Sequence, residues 1–472
     1  MNLPSDFILR TRELLGDAEF AALTEALEKD TPVSIRMNTD KYGLVPQEST
    51  SVPWCREGYY LSVSGRPSFT FDPLFHAGCY YVQEASSMFL EQALRQYVHE
   101  PVTMLDLCAA PGGKSTLARS VLPEGSLLVA NEVMRNRSQV LAENLIKWGN
   151  PGVIVTNNDP ADFTELGPLF DVILTDVPCS GEGMFRKDEV AVQEWSIENV
   201  DTCWQRQRRI LRDIWPCLKT GGLLIYSTCT YNREENEDNV AWIAQELGAE
   251  VLPLETQPDW HITGNLTGTE FPVYRFLPHK TTGEGLFMAV LRKTVDEPAV
   301  SVRTKTGGKA SKKGKGGKVV ALQVPKEMKA WVQGAGDYVF EVNDSEAMAF
   351  PAAYKDTYDL LKSQLRILHA GISLGELKGK DWQPSHALAM STVFERDSFP
   401  MAELTYPQAI AYLRKEAVVL SPEVPRGYVT LTYQGQVLGF AKNIGNRANN
   451  LYPQEWRIRS GYLPEIIPDL FG

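Results

Sequence analysis

Short apolar runs alternate with longer amphipathic segments between residues 102 and 293, and this alternation restricts the fold more than any other feature of the chain. Five runs have the length and composition of buried strands: residues 102–107, 126–131, 152–157, 171–176 and 222–228. Strands that alternate with helices, such as the pattern at residues 135–147, predict a parallel sheet covered on both faces. We therefore predict an α/β fold with a Rossmann-like domain over residues 98–293. An antiparallel hairpin is expected to close its sheet, from residues 271–278 and 285–293.

Polar or reactive residues follow each of the five predicted strands. In an open parallel sheet, ligands bind in the crevice beyond the carboxyl ends of the strands. The residues at these ends are the segment 108–114, Glu132, Asp159, Asp176 with the nearby Cys179, and Cys229. One polar strand end is common in any protein, but five aligned ends predict a functional site.

The turn after the first strand is built from small residues and one lysine. It reads Cys108, Ala109, Ala110, Pro111, Gly112, Gly113 and Lys114. Small side chains let the backbone approach a ligand closely. A nucleoside triphosphate site would need a glycine at position 108 to complete the pattern GxxxxGK[ST], and the dinucleotide pattern GxGxxG is missing. Both kinds of site are therefore disfavoured.

Three carboxylates are predicted to lie around this turn. Glu132 follows the glycines by about 20 residues, the spacing at which an acid binds ribose hydroxyls. Together with Asp159 and Asp176 it would attract a cationic ligand and repel a polyanionic nucleotide, so the set favours S-adenosylmethionine as the cofactor. An alternative stays open for each acid, because acids at strand ends also cap helices or lie in solvated loops.

The seven cysteines lie between Cys55 and Cys229 without CxxC pairs, which argues against a disulfide framework or a zinc site. Four of them are expected to be small buried apolar residues: Cys55, Cys79, Cys203 and Cys217. Cys229 precedes a helix predicted to begin near Arg233, and a helix N-terminus stabilises a thiolate. Three acids in the same segment act against that stabilisation: Glu234, Glu235 and Glu237.

A thiol beside a methyl donor has a specific chemical use. C5 of cytosine is a poor nucleophile, and a thiolate that adds to C6 makes C5 react like an enamine. A hydrogen-bonding group at the N3 edge of the base, where Asp176 is expected, would stabilise that adduct. Loss of the C5 proton would then expel the enzyme, and a second cysteine could assist the release.

Three motifs resemble those of the RNA cytosine-C5 methyltransferase family: residues 106–116, 174–188 and 225–240. Segments 32–39 and 80–88 are similar to the family's N-terminal part, and residues 439–457 resemble its bacterial 16S rRNA branch. The resemblance therefore covers nearly the full length of the chain. It implies that the substrate is 16S rRNA, in the decoding region of the small ribosomal subunit.

The resemblance also assigns roles to individual residues. It implies that Cys229 is the nucleophile, that Cys179 assists product release and that Asp176 belongs to the catalytic set. DNA cytosine methyltransferases use the Pro-Cys cysteine instead, so the role of Cys229 rests on the resemblance. The cofactor-binding residues are predicted to be Cys108, Ala109, Ala110, Pro111, Gly112, Gly113, Lys114, Glu132, Arg137, Asp159 and Asp176.

A basic, glycine-rich stretch interrupts the chain. Residues 303–318 contain seven basic residues, five glycines and no acid, so residues 294–320 are predicted to be a flexible linker. It is either a solvated tether or a tether that also contacts phosphates. Because such a segment carries no core, we expect the preceding domain to fold without residues 321–472.

The remaining segments predict three further units. Residues 1–97 form a mixed α/β domain of the RRM-like kind, and residues 321–385 form a small mixed α/β unit. Residues 386–472 are β-rich, with a hairpin turn at Gln434 and Gly435, and resemble a PUA-type RNA-binding module.

The formal net charge of −12 argues against non-specific coating of nucleic acid but leaves a local RNA-binding patch open. No apolar run of about 18 residues and no apolar leader occur, so we predict a cytoplasmic protein that does not span a membrane. We expect a monomer without a metal. Two alternatives remain: the same chemistry on tRNA or 23S rRNA, and a non-catalytic rRNA-binding assembly factor, against which the intact Cys229 and Cys179 argue.

Overall fold

A computed structural model gives the fold and describes residues 1–62, 66–295, 323–463 and 469–471. The predicted linker at residues 294–320 falls almost entirely outside the described residues. None of the described helices is long and apolar enough to cross a membrane.

The N-terminal part combines four α-helices with a small antiparallel sheet of order β2-β3-β1-β4. Its elements are α1 (Ser5–Leu15), α2 (Asp17–Leu27), β1 (Ser34–Met37), β2 (Ser49–Ser51), β3 (Gly58–Leu61), α3 (Pro73–His76), β4 (Tyr80–Val82) and α4 (Leu90–Tyr97).

The central part contains most of a large sheet with helices on both faces. Its elements are β5 (Thr103–Asp106), α5 (Gly113–Val121), β6 (Leu127–Asn131), α6 (Arg135–Trp148), β7 (Val153–Thr156), β8 (Phe170–Asp176), α7 (Glu189–Glu194), α8 (Ile197–Ile214), β9 (Leu218–Thr228), α9 (Glu237–Glu246), β10 (Ala249–Leu252), β11 (Tyr274–Phe276) and β12 (Leu286–Lys293). Strands β7, β6, β5, β8 and β9 are parallel neighbours in that order, and β12 is antiparallel between β9 and β10.

This arrangement confirms the predicted α/β class and the Rossmann-like domain. Each of the five apolar runs forms a strand, and the helical pattern at residues 135–147 forms α6. The predicted closing hairpin is the antiparallel pair β11 and β12. The strands are almost fully buried because helices cover both faces, which explains their continuous apolar character.

The C-terminal part adds two further sheets, of order β13-β14-β16-β17 and β18-β19-β20-β21. Its elements are α10 (Lys326–Lys329), β13 (Tyr338–Asn343), β14 (Glu346–Pro351), α11 (Lys355–Gln364), β15 (Ile367–Ala370), β16 (Ile372–Lys378), β17 (Asp381–Pro384), α12 (His386–Met390), β18 (Met401–Glu403), α13 (Tyr406–Leu413), β19 (Gly427–Tyr433), β20 (Gln436–Asn443) and β21 (Ala448–Asn450). Gln434 and Gly435 both have positive φ and form the predicted hairpin turn between β19 and β20.

Strand β15 completes the large sheet by pairing antiparallel with β7, with Ile367 opposite Thr156. Helix α11, just before it, packs against the 3-10 helix Pro160–Leu166. The apolar side chains that this part contributes to the central core are Met348, Phe350, Tyr358, Leu361 and Leu365. The expectation of a separate small unit at residues 321–385 therefore differs from the structure, because a strand and a helix of that segment belong to the central sheet and core.

The last sheet packs on the N-terminal one. Buried residues of both, among them Ile35 of β1 and Leu431 of β19, form a single apolar cluster. Tyr406 donates to the carbonyl of Phe71 at 3.0 Å, which joins α13 to the N-terminal part.

Leu361→Ala is expected to lower the free energy of unfolding by about 2–5 kcal/mol, because it empties a fully buried position in the core under the central sheet. Chemical denaturation would measure it. Leu360→Ala, at the neighbouring partly buried position, is the matched control and should have a smaller effect.

If a fragment ending at residue 295 unfolds at the same denaturant concentration as the full chain, the packing of α11 and β15 contributes nothing to the sheet.

Candidate active site

The predicted site residues meet at the carboxyl ends of the five parallel strands. The turn of residues 107–112 leaves β5, and Gly113 begins α5. Gly112 has a φ of 115°, so a side chain at this position would strain the turn. Three successive carbonyl groups of the turn accept side-chain hydrogen bonds: Ala110 from Arg137 (2.7 Å), Pro111 from Asn144 (2.8 Å) and Gly112 from Thr116 (2.8 Å). The turn is therefore rigid before any ligand binds.

Cys108 and the two alanines form the inner side of this turn. Cys108 is half-buried, Ala109 and Ala110 are buried, and Pro111 is exposed. Burial and the neighbouring acids, Asp106 first among them, raise the pKa of the Cys108 thiol, which therefore remains protonated at neutral pH.

Glu132 lies at the end of β6 with its carboxylate almost fully buried. It accepts a hydrogen bond from the backbone of Met134 at 2.8 Å and pairs with Arg137 at 3.3 Å. Asp159 follows β7 and accepts a hydrogen bond from the backbone N–H of Ala161 at 3.1 Å. It therefore caps the 3-10 helix Pro160–Leu166, which is the alternative role that the sequence left open for this acid. Its side chain remains 42% exposed at the same edge of the sheet.

Asp176 lies at the end of β8 between two partners. Lys114 donates to Oδ2 at 2.8 Å, and the hydroxyl of Ser227 donates to Oδ1 at 2.7 Å. Burial alone would lower the pKa of Lys114, but the adjacent Asp176 outweighs it and the pKa is raised. The pair thus places a permanent cation and a carboxylate between the glycine turn and the thiols.

The two candidate catalytic thiols are in contact. Sγ of Cys179 lies 3.2 Å from Sγ of Cys229, and the backbone N–H of Cys229 also points to Cys179 Sγ at 3.4 Å. The hydrogen bond with Cys229 and burial raise the pKa of Cys179. The four cysteines expected to be buried apolar residues are buried: Cys55, Cys79, Cys203 and Cys217.

Two of the three acids near Cys229 are paired with cations and oppose a thiolate less than the sequence suggests, whereas burial raises the pKa of the third, Glu235, to about 7. Glu237 is buried in an ion pair with Arg275, and Glu234 pairs with Arg10. Helix α9 begins at Glu237, so Cys229 lies in a loop of several residues before the helix.

Asp106 is a candidate site residue that the sequence analysis does not identify. It ends β5 and is fully buried; Ser115 donates to Oδ2 at 2.6 Å, while Oδ1 has no partner among the described residues. Burial raises its pKa to about 7. The sequence feature that could have identified Asp106 is its position directly before the glycine turn. No group of three His, Cys, Asp or Glu side chains within the described ranges could hold a metal ion.

Comparisons with known proteins agree along the whole chain. The family model described as 16S rRNA methyltransferase RsmB/F matches residues 93–292, the N-terminal domain of 16S rRNA methyltransferase RsmF matches residues 3–85, and the methyltransferase RsmF PUA domain matches residues 400–458. The ribosomal RNA small subunit methyltransferase F of Enterobacter sp. is 31% identical over 98% of this chain and 97% of its own length. The chain belongs to the ribosomal RNA small subunit methyltransferase F family.

Other relatives extend this result. The same-named protein of Escherichia coli O9:H4 is 32% identical over 98% of this chain and 97% of its own length. A methyltransferase homolog from Pyrococcus horikoshii has a solved structure that is 28% identical, with a TM-score of 0.51, over 62% of this chain and all of that one. As a member of this family, the chain is a methyltransferase of small-subunit rRNA with a Rossmann-like domain and a PUA-like domain.

Asp106→Asn is expected to flatten the pH dependence of stability. The ordinary pKa of 3.8 is raised to about 7 in the folded protein, so the stability contribution of the protonated carboxyl is lost as pH rises from about 4 to 7. The slope is at most about 1.4 kcal/mol per pH unit. Urea unfolding of the variant and the wild type at several pH values measures this slope. The contributions of the other titrating groups cancel when the two free energies of unfolding are subtracted. Parallel curves for the two proteins would show that folding does not change the pKa of Asp106.

Proposed function

We propose that the chain transfers a methyl group from S-adenosylmethionine to C5 of cytosine in 16S rRNA through a covalent bond between Cys229 and C6. The observation that carries the proposal is the contact of two thiols, 3.2 Å apart, one beyond the end of β8, which bears Asp176, and the other beyond the end of β9. A methyltransferase that acts on nitrogen has no use for such a pair. Since the substrate is rRNA, the reaction takes place in the cytoplasm.

The residues around the glycine turn fit the proposed cofactor. The turn is small and rigid, Glu132 presents a buried carboxylate at the spacing suited to ribose hydroxyls, and Asp159 and Asp176 add negative charge. Carboxylates match a ligand with an amine and a sulfonium and would repel polyphosphates. When bound, the cofactor supplies an electrophilic methyl group.

The thiols divide the remaining chemistry. Cys229 as thiolate adds to C6 of the base, the C5–C6 double bond is lost, and C5 takes the methyl group. Asp176, held by Lys114 and Ser227, takes the role of the group that hydrogen-bonds the N3 edge of the base and stabilises the adduct. A base from solvent then takes the C5 proton, the electron pair of the C5–H bond restores the C5–C6 double bond, and the sulfur of Cys229 leaves C6 as a thiolate.

Cys179 is suited to the release step. Its raised pKa keeps the proton on Cys179 at neutral pH, so a thiol donor stands beside the thiolate that leaves the base. The assignment of Cys229 as the nucleophile rests on the resemblance of its motif to the family, since the thiol contact alone is symmetric.

Cys229→Ala is expected to bind S-adenosylmethionine normally and to lose methyl transfer, because the cofactor turn lies on other strands. Calorimetry and incorporation of labelled methyl groups into rRNA would measure the two properties. Residual turnover within about tenfold of wild type, a difference of about 1.4 kcal/mol in transition-state stabilisation, would exclude Cys229 as the nucleophile.

Cys179→Ser should accumulate a protein–RNA adduct that survives denaturation. The substitution keeps the size of the side chain and leaves addition and methyl transfer intact, while release from C6 becomes slow. Denaturing gel electrophoresis detects the adduct, and the Cys179/Cys229 double variant should not form it. If the adduct is absent from Cys179→Ser and persists in Cys229→Ala, the two roles are reversed.

Mapping of 5-methylcytosine in RNA from a deletion strain tests the substrate. Loss of a modification from 16S rRNA is expected, restored by the wild-type gene and not by Cys229→Ala. Loss from tRNA or 23S rRNA instead would keep the chemistry and change the substrate. Unchanged 5-methylcytosine in all three RNAs would contradict the proposed function.

A further inference from the structure

Two buried glutamates join the loops that carry the thiols. We call residues 177–188, after β8, the first cysteine loop, and residues 229–236, after β9, the second cysteine loop. Glu182 belongs to the first loop and Glu235 to the second, and both side chains are almost fully inaccessible to solvent. Neither has a cationic partner among the described residues, so their burial must be balanced by hydrogen bonds.

Each glutamate accepts from the backbone of the opposite loop. Oε2 of Glu182 receives the N–H groups of Tyr231 at 2.7 Å and Asn232 at 2.8 Å. In return, the carboxylate of Glu235 receives the N–H of Ser180 at 3.1 Å. Ser180 directly follows Cys179, and Tyr231 lies two residues after Cys229. The contacts are therefore reciprocal and adjacent to the thiols.

The amide of Asn232 connects the two carboxylates. Its Nδ2 lies 3.1 Å from Oε1 of Glu182 and 2.8 Å from Oε1 of Glu235. Each carboxylate also accepts from outside the loops: Trp195 donates to Oε1 of Glu182 at 3.0 Å, and Gln207 donates to Oε2 of Glu235 at 2.6 Å. Every oxygen of both carboxylates thus accepts at least one hydrogen bond.

Backbone contact between the loops is equally tight. The N–H of Gly183 donates to the carbonyl of Cys229 at 2.8 Å. A Cβ atom at Gly183 would lie 2.9 Å from that carbonyl oxygen and 2.8 Å from the carbonyl oxygen of Gly285, so a larger residue does not fit. The hydroxyls of Ser180 and Thr230 are also in contact, at 2.9 Å.

We propose that Glu182 and Glu235 are positioning residues that fix the separation of the two thiols, each holding the loop of the opposite cysteine. The inference rests on the proposed function, in which Cys179 must remain beside Cys229 while the latter is bonded to the base. In the adduct the sulfur of Cys229 is a thioether, which accepts a hydrogen bond from Cys179 only weakly. The contacts of the glutamates then keep the loops together until release.

Glutamine variants test this role without a change in size. Glutamine has one acceptor oxygen, so Glu182→Gln or Glu235→Gln presents an N–H₂ group to backbone or amide donors whichever way it turns. We expect kcat to fall about tenfold or more in either variant, with KM for rRNA and the affinity for S-adenosylmethionine unchanged. Glu234→Gln is the matched control, because Glu234 neighbours Glu235, pairs with Arg10 and contacts neither thiol. It should behave as wild type.

Oxidation by diamide gives a readout that does not depend on methylation. The reagent takes one hydrogen from each thiol, so the two sulfurs form a disulfide and the nitrogen–nitrogen double bond of diamide is reduced. Wild type and Glu234→Gln should form the Cys179–Cys229 disulfide rapidly, and the two glutamine variants several-fold more slowly. Peptide mass spectrometry identifies the bond, and Cys229→Ser removes the signal.

The outcomes separate this inference from the proposed function. If wild type makes no 5-methylcytosine, the proposed function fails while the diamide comparison still reports on the loops. Glutamine variants with wild-type kcat, or with a lower kcat and an unchanged rate of disulfide formation, would overturn the positioning role. Loss of cofactor binding in both variants would also overturn it, since the glutamates would then be a requirement of the fold.

Discussion

The register between the neighbouring parallel strands β8 and β9 determines where both thiols lie. Asp176, the last residue of β8, is paired with Ser227 of β9, and the Ser227 hydroxyl donates to the Asp176 carboxylate. Cys179 lies three residues beyond Asp176, and Cys229 lies two residues beyond Ser227. A shift of one residue would turn the side chains of β9 to the opposite face and separate the carboxylate, its hydroxyl partner and the thiols together. The geometry of the candidate active site therefore depends on strand pairing before it depends on the loops.

A buried arginine of the N-terminal part supports the cofactor side of the site. Arg36 of β1 is fully buried and donates to the hydroxyl of Thr116 at 2.6 Å, and that hydroxyl donates to the carbonyl of Gly112. The guanidinium also lies 4.4 Å from the ring centre of Trp148 in α6. Burial lowers the pKa of Arg36 to about 10, which leaves it charged at neutral pH. The N-terminal sheet thus stabilises the turn on which the cofactor is proposed to bind.

Sequence patterns predict those parts of the fold and site that depend on local periodicity. The five strands and α6 are readable because parallel strands buried on both faces are apolar throughout, and the reactive residues follow them directly. Asp106 was missed because it ends an apolar run. Glu182 and Glu235 were missed because the backbone groups they bind lie about 50 positions away in the chain. Local periodicity carries no information about contacts at that separation. The same holds for β15, whose partner β7 is more than 200 residues earlier in the chain.

The pairing of β15 with β7 makes the central sheet dependent on the order of synthesis. The ribosome completes β7 at Thr156, whereas its partner strand is finished only at Ala370. Throughout that interval β7 is an edge strand with unpaired N–H and C=O groups, the kind of surface that promotes aggregation. Long-range pairing of this kind also folds slowly, because the entropy of closing the intervening chain is lost before the contact forms. The protein that modifies the small ribosomal subunit therefore acquires its own complete sheet late in translation, after most of the chain has left the peptidyl-transferase centre.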